Sequence, residues 1–230
     1  MKILGIIKAS FIDYPKKAST VLFIGGCNFR CPYCHNPELV NELGEDLKRS
    51  DVLEFLQKRK KYIDGVVISG GEPTIHPELI ELIEEIKKLG YSIKLDTNGS
   101  NPEVLRKLIN DRQIDYIAMD IKGPISEYAK ISNSEINIKD IEESINLIKT
   151  SDIDYEFRTT ICKELLSKDQ VVEIGKYIDG AKRYALQAYN LKGKILDESK
   201  FFSCYTKKEM EELKELISPY IKEVIIRVND

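Results

Sequence analysis

Apolar residues recur along the chain in two different periods. Val66-Val67-Ile68-Ser69, Ser92-Ile93-Lys94-Leu95-Asp96, Tyr116-Ile117-Ala118-Met119-Asp120, Tyr155-Glu156-Phe157-Arg158-Thr159 and Tyr184-Ala185-Leu186-Gln187 are short runs rich in β-branched and aromatic side chains. Runs of that length and composition read as strands. An opening pair at about residues 2–7 and 20–24 precedes them, and Glu223-Val224-Ile225-Ile226-Arg227-Val228 is the last candidate. Between the runs the period lengthens to that of a helix. Asp51-Val52-Leu53-Glu54 has the pattern of a capping box and is expected to open the first helix. Pro77 opens the next, where Leu79, Ile80, Leu82, Ile83 and Ile86 form one stripe that stops at Gly90. Asn101-Pro102 reads as an N-cap followed by proline at the first helical position. Residues 138–150 and 167–178 repeat the pattern, and Thr206 with Glu209 caps the last helix.

Strands that alternate with helices of this length make βαβ units, hence a parallel sheet with right-handed crossovers. About six such units fall short of eight, so the fold class expected is α/β, a partial (open) TIM-like (βα)6 barrel. No linker, repeat or low-complexity stretch divides the chain. One domain is expected over 1–230, with a cysteine loop at about 25–37 and a C-terminal helix and strand at about 206–228.

Composition narrows the function classes. The net charge of −3 argues against a nucleic-acid partner. Lys58-Arg59-Lys60-Lys61 sits in a helical stretch near acidic neighbours and reads as a solvated face. No stretch approaches the ~18 apolar residues of a membrane span. The apolar N-terminal stretch is too short for a signal-peptide core, so a cytoplasmic location without membrane partners is expected. In that compartment the five cysteines stay reduced, and a metal or catalytic role outweighs disulfides.

The chemically distinctive residues cluster at the C-terminal ends of the expected strands. They are the cysteine loop, Gly70-Gly71-Glu72, Asp96-Thr97-Asn98, Asp120 with Lys122, Arg158 and Gln187. Parallel α/β folds bind their ligands at that edge. The loop reads Cys27-Asn28-Phe29-Arg30-Cys31-Pro32-Tyr33-Cys34. Three thiolates are one short of a closed zinc site and of an ordinary iron–sulfur cluster. His35, adjacent to Cys34, strains a tetrahedral arrangement, and no second cysteine pair lies near. Zinc and unliganded thiols are weighed against a cubane held at three irons, whose fourth iron is free for an exogenous chelator. The cubane is favoured.

Cys-x-x-x-Cys-x-aromatic-Cys after a first strand resembles the signature of the radical S-adenosylmethionine (SAM) superfamily. Cys34-His35-Asn36-Pro37, preceded by Asp13-Tyr14-Pro15 and Gly25-Gly26-Cys27, is similar to the activating enzymes of glycyl-radical proteins, most of all those of anaerobic ribonucleoside-triphosphate reductase. Gly70-Gly71-Glu72-Pro73, Asp96-Thr97-Asn98-Gly99 and Met119-Asp120-Ile121-Lys122 follow in the order of that family across nearly the whole chain. The resemblance implies that Cys27, Cys31 and Cys34 ligate a 4Fe-4S cluster, the catalytic metal centre, whose open iron is chelated by the methionyl amino and carboxylate groups of SAM. It implies that Gly70, Gly71 and Glu72 receive the methionyl ammonium, that Asp96, Thr97 and Asn98 bind ribose hydroxyls, and that Lys122 or Arg158 pairs with the SAM carboxylate. Tyr33 would pack near the adenine and the backbone at His35 would hydrogen-bond it; Gln187 completes the cofactor-binding set. Asp96 and Asp120 would repel across adjacent strand ends, so a shared cation is expected, either Lys122 or a small metal ion. Two solvated loop aspartates are the plainer reading.

The activity implied is reductive cleavage of SAM to methionine and a 5′-deoxyadenosyl radical, which takes a hydrogen atom from a glycine Cα on a partner protein. The partner would be anaerobic ribonucleoside-triphosphate reductase, and a low-potential donor such as flavodoxin or ferredoxin would supply the electron. Alternatives are activation of pyruvate formate-lyase or another glycyl-radical enzyme, a small-molecule radical SAM enzyme such as a deazapurine synthase, and a non-catalytic metal-binding protein. Hydrogen-atom transfer needs no general base, so His35 and His76 need no catalytic assignment; His76 reads as a structural loop residue. Cys162 and Cys204, isolated in sequence, read as buried or incidental thiols.

Overall fold

The apolar runs of the sequence form one sheet whose strands lie in chain order: β1 (Ile3–Ser10), β2 (Ser19–Ile24), β3 (Gly65–Gly70), β4 (Ser92–Thr97), β5 (Tyr116–Asp120), β6 (Asp154–Ile161), β7 (Tyr184–Ala188) and β8 (Val224–Arg227). This is a computed structural model, and it describes residues 1–228; the last two residues of the domain expected over 1–230 lie outside the described residues. β1 runs antiparallel to β2, and every later neighbouring pair is parallel. No ladder joins β8 to β1 among the described residues, so the barrel is open.

The helices are α1 (Pro37–Val40), α2 (Arg49–Arg59), α3 (Leu79–Lys88), α4 (Pro102–Asn110), α5 (Tyr128–Ser132), α6 (Ile138–Thr150), α7 (Lys168–Tyr177) and α8 (Lys207–Ile217). The longer ones, α2, α3, α4, α6, α7 and α8, fill the crossovers between consecutive parallel strands, which is the expected (βα)6 pattern. Their starts follow capping chemistry. The Asn101 side chain accepts from the Val104 N–H, and Ser167 with Gln170 and Thr206 with Glu209 form reciprocal capping boxes. The capping box expected at Asp51 does not form. α2 begins at Arg49 with no side-chain cap, Asp51 falls within its first turn, and Glu54 pairs with Lys58 instead. An acid in the first turn still favours the helix through the positive end of its dipole. α3 starts at Leu79, two residues beyond Pro77, and ends before Gly90, whose φ of +82° suits glycine.

Alternation along the strands sorts side chains to two faces. Leu22, Ile68, Leu95, Ile117, Phe157 and Leu186 join the large core that includes the buried helix stripes. Val21, Val67, Tyr116 and Ala118 form a smaller cluster with Tyr14 inside the barrel. Two residues beyond the inward Val67 stands Ser69, and two beyond Ala118 stands Asp120. The inner face therefore becomes polar toward the C-terminal edge. Parallel register sets these ends side by side, with Asp96 opposite Ala118, Asp120 opposite Arg158 and Thr160 opposite Gln187.

Candidate active site at the cysteine loop

The chain leaves β2 through Gly25 and Gly26 and passes hard against the end of β3. The Gly71 and Glu72 N–H groups donate to the carbonyls of Ile24 and Gly26, both at 2.8 Å. A Cβ on Gly71 would stand 1.8 Å from the Gly26 carbonyl oxygen, so only glycine admits this approach. His76 Nε2 lies 2.7 Å from the Gly25 carbonyl oxygen, and the residue braces the loop from outside the cavity, in agreement with a structural role. Farther along, the Arg30 N–H donates to the Ser132 carbonyl at 3.0 Å, and the Cys34 N–H to the Cys31 carbonyl at 3.0 Å. The Leu196 and Asp197 N–H groups donate to the Cys34 and Pro32 carbonyls at 2.9 and 3.1 Å. The loop is thus tied to three distant parts of the chain.

Cys27, Cys31 and Cys34 line one cavity of about 220 Å³. Burial pushes the Cys27 thiol up to about 12, against the opposing Phe29 N–H, and burial raises Cys31 against the pull of Lys122. Thiols held this way ionise only when a cation compensates them, which metal binding does while releasing their protons. Among the described residues no three His, Cys, Asp or Glu side chains gather tightly enough to hold a single metal ion. Three soft donors on one wall suit a polynuclear iron–sulfur centre, in which each thiolate binds a different iron.

The opposite wall is made by the strand ends. Gly70, Gly71, Asp96, Thr97, Asn98, Asp120, Lys122 and Arg158 line the cavity together with Tyr33 and His35. Arg158 Nε donates to Asp120 Oδ1 at 2.8 Å and its Nη1 to Asp96 Oδ2 at 3.3 Å. Lys122 Nζ donates to Asp120 Oδ2 at 3.2 Å, Ser69 Oγ to Asp96 Oδ2 at 3.0 Å, and Lys94 pairs with the other Asp96 oxygen. The cation shared by the two aspartates is therefore the Arg158 guanidinium; Lys122 reaches only Asp120, and no metal-binding group forms there among the described residues. The reason is register: Arg158 stands opposite Asp120, and its planar fork spans to the next strand as an ammonium does not. Burial works against ionisation of both acids, yet Arg158 outweighs it. Arg158 and Lys94 hold Asp96 below the usual carboxylate range, and Arg158 and Lys122 bring Asp120 to about 2. Burial alone would lower Lys122, but Asp120 raises it well above the usual lysine value.

Two expected residues do not line the cavity. Glu72 is fully buried and accepts from the Thr74 N–H at 3.0 Å, Thr74 Oγ1 at 2.5 Å, Thr97 Oγ1 at 2.8 Å and the Asn98 N–H at 2.5 Å. Burial raises its pKa while these donors oppose the rise. Both oxygens are occupied by these donors, which tie the turn after β3 to the end of β4. Gln187 stands opposite Thr160, and it is Thr160 that lines the cavity. Ser69 and Thr160 escaped the sequence reading, although each lies two residues along its strand from an inward position, a period-2 signal. Tyr33 is buried edge-on against Phe202, with ring centroids 6.3 Å apart. The His35 ring stacks on Tyr189 at 4.8 Å, and its Nε2 is buried without a partner. Cys162 is buried, and Cys204 donates its S–H to the Tyr189 carbonyl; neither lines the cavity.

The model of the radical SAM superfamily matches residues 21–177. Over 97% of this chain and 94% of its own length, a protein provisionally named a glycyl-radical enzyme activating enzyme in Methanocaldococcus jannaschii is 34% identical. The pyruvate formate-lyase-activating enzyme of Clostridium pasteurianum is 36% identical over 45% of each chain. The 7-carboxy-7-deazaguanine synthase of Aquifex aeolicus is 40% identical over 36% of each. Among solved structures, Streptococcus suis SuiB bound to S-adenosylmethionine superposes with a TM-score of 0.68 at 15% identity, over 91% of this chain and 52% of SuiB. That likeness is one of fold. The chain spans about half of SuiB and less than half of the Clostridium activating enzyme.

Proposed function

This chain belongs to the radical SAM superfamily, and from that we propose that it is an activase that generates a glycyl radical on a partner protein, the partner being anaerobic ribonucleoside-triphosphate reductase. The family implies a 4Fe-4S cluster and SAM. What carries the activase reading is the end-to-end match to a protein of that provisional name, joined to a cavity in which three thiols face a wall of charged strand ends. The Cys34-His35-Asn36-Pro37 context supports an activase over a small-molecule enzyme.

Cys27, Cys31 and Cys34 would hold the cluster as thiolates. When bound, cluster and SAM supply one-electron cleavage of the sulfonium to methionine and a 5′-deoxyadenosyl radical able to take a glycine hydrogen atom. The rest falls to the chain's own side chains. The buried Asp96–Arg158–Asp120–Lys122 array is a rigid polar wall, and with Lys94 it holds three cations against two carboxylates. Its surplus positive charge suits the methionyl carboxylate, with Lys122 as the contact. Gly70 and Gly71 present backbone to the methionyl ammonium, while the Glu72 carboxylate holds Thr74, Thr97 and the Asn98 N–H beside them. Thr97 and Asn98 face the ribose, and Tyr33 with the His35 backbone faces the adenine. Enclosure keeps water and stray hydrogen donors from the reactive carbon.

Anaerobic reconstitution with iron and sulfide, followed by SAM and dithionite, should yield 5′-deoxyadenosine. Adding the anaerobic reductase should then yield a glycyl radical signal in electron paramagnetic resonance. No 5′-deoxyadenosine would end the enzyme reading; 5′-deoxyadenosine without a radical on the reductase, but with one on pyruvate formate-lyase, would change the partner. The partial match to a deazaguanine synthase favours a second reading, a small-molecule enzyme, and release of a ring-contracted pterin product would identify it.

A further inference from the structure

Between β7 and α8, residues 189–205 form a strap with no helix or strand. It lies along the outside of the cysteine loop, donating from Leu196 and Asp197 to the Cys34 and Pro32 carbonyls at 2.9 and 3.1 Å. Aromatic rings fill the space between. Tyr189 stacks on His35 at 4.8 Å, and Phe202 meets Tyr189 at 5.6 Å and Tyr33 at 6.3 Å. The thiols look into the cavity, whereas the strap covers the loop's carbonyl side.

The outer surface of the strap has a distinct character. Leu191 is 65% and Phe201 78% exposed, and both line a shallow depression together with Lys194, Lys200 and Glu198. Lys192, Lys194 and Lys200 are exposed, and none takes part in an ion pair among the described residues. Of the strap's two acids, Asp197 is tied to Ser199, which leaves Glu198 facing outward. The strap thus carries a net positive charge on a chain of net charge −3. Apolar side chains ringed by exposed lysines in excess over acids, with Lys200 acting on Asp197, suit a brief encounter with an acidic protein, steered by charge.

We infer that the 189–205 strap is the docking surface for the electron donor, a small acidic low-potential electron-transfer protein. The inference rests on the radical SAM reading of the cysteine loop. The hydrogen-donating substrate must reach the cavity mouth, where SAM would lie. An electron needs only a short path to the thiolates, and the strap stands one backbone hydrogen bond from Cys34. In the step itself one electron leaves the reduced donor, which is oxidised by one, and the iron–sulfur centre is reduced by one; no bond or proton is required to move.

The test compares the reconstituted wild type with a K192E/K194E/K200E variant. The readout is the rate of cluster reduction by photoreduced flavodoxin, followed by visible absorbance, with dithionite as a small reductant that needs no docking. The variant should be reduced by flavodoxin on the order of tenfold more slowly at low salt, and the wild-type rate alone should fall as salt is added. Dithionite should reduce both at one rate. Equal rates with flavodoxin would overturn the inference. A variant reduced normally that yields less glycyl radical on the partner would also overturn it, assigning the strap to the substrate protein. Cluster reduction is read without SAM, so absent SAM cleavage with dithionite would defeat the activase reading while the flavodoxin comparison still decides the docking surface.

Discussion

At the scale of single residues, Arg158 decides how the cavity wall is built. Without it, Asp96 and Asp120 would face each other with only one ammonium apiece, Lys94 and Lys122, neither reaching both. Arg158→Gln should lower stability by about 2–3 kcal/mol in urea unfolding, because it strips a mostly buried carboxylate pair of its shared partner. It should also weaken SAM binding to the reconstituted protein by tenfold or more in equilibrium dialysis, and Arg158→Lys should restore only part, since an ammonium cannot span both acids. Unchanged SAM affinity in Arg158→Gln would remove the array from the binding site. Glu72 teaches the complementary lesson. A carboxylate following two glycines at a strand end reads as a cation's partner, but its two oxygens are filled by donors from Thr74, Thr97 and Asn98.

At the scale of elements, the cysteine loop takes its shape from the neighbouring strand end. The Gly26 carbonyl that Gly71 would strike with a Cβ belongs to backbone already bonded to Glu72, so relief by a side-chain shift is unavailable. Gly71→Ala should therefore push the start of the loop away from β3. We expect a loss of about 1–3 kcal/mol, as for overpacking in a tight site, together with reduced iron uptake measured by absorbance after reconstitution. Full iron uptake with wild-type stability would show that the loop yields. Helix boundaries behave differently from loops. Where a cap is local, as at Asn101, Ser167 and Thr206, the helix begins where the sequence places it. At Asp51 the same local pattern is present but the helix starts at Arg49, whose guanidinium pairs with Glu81 and Glu85 of α3.

At the scale of the molecule, the core is built almost wholly from apolar strand and helix stripes rather than around the centre. The large core contains the strand and helix stripes from β1 to β8; of the cysteine loop it takes in Phe29, Cys31 and Tyr33, whereas Cys27 and Cys34 only abut it. The chain without iron should keep its far-ultraviolet circular dichroism and cooperative unfolding, unlike a small zinc domain that folds only with its metal. Loss of helical signal on chelation would show that the cluster organises more than its loop. Among the described residues no helix is long and apolar enough to cross a membrane. Among the described residues no strand pairing joins β8 to β1, so the sheet keeps an open edge.

The sequence by itself determined what depends on near neighbours along the chain. It yields the alternation of strand and helix, the parallel open barrel, most helix starts, and the cysteine loop with the strand ends that gather round it. Those signals are periodic or local, written within a turn or a run of a few residues. Only the tertiary structure decided which way the strand-end side chains turn once they have lateral neighbours. It turned Glu72 away from the cavity onto Thr97 and Asn98, bridged Asp96 and Asp120 with Arg158, brought Gly71 against Gly26, and laid the 189–205 strap over residues far earlier in the chain. Each of these is a contact across strands or between distant segments. Its energy is set by register and burial, and neither is written in the spacing of residues along one strand.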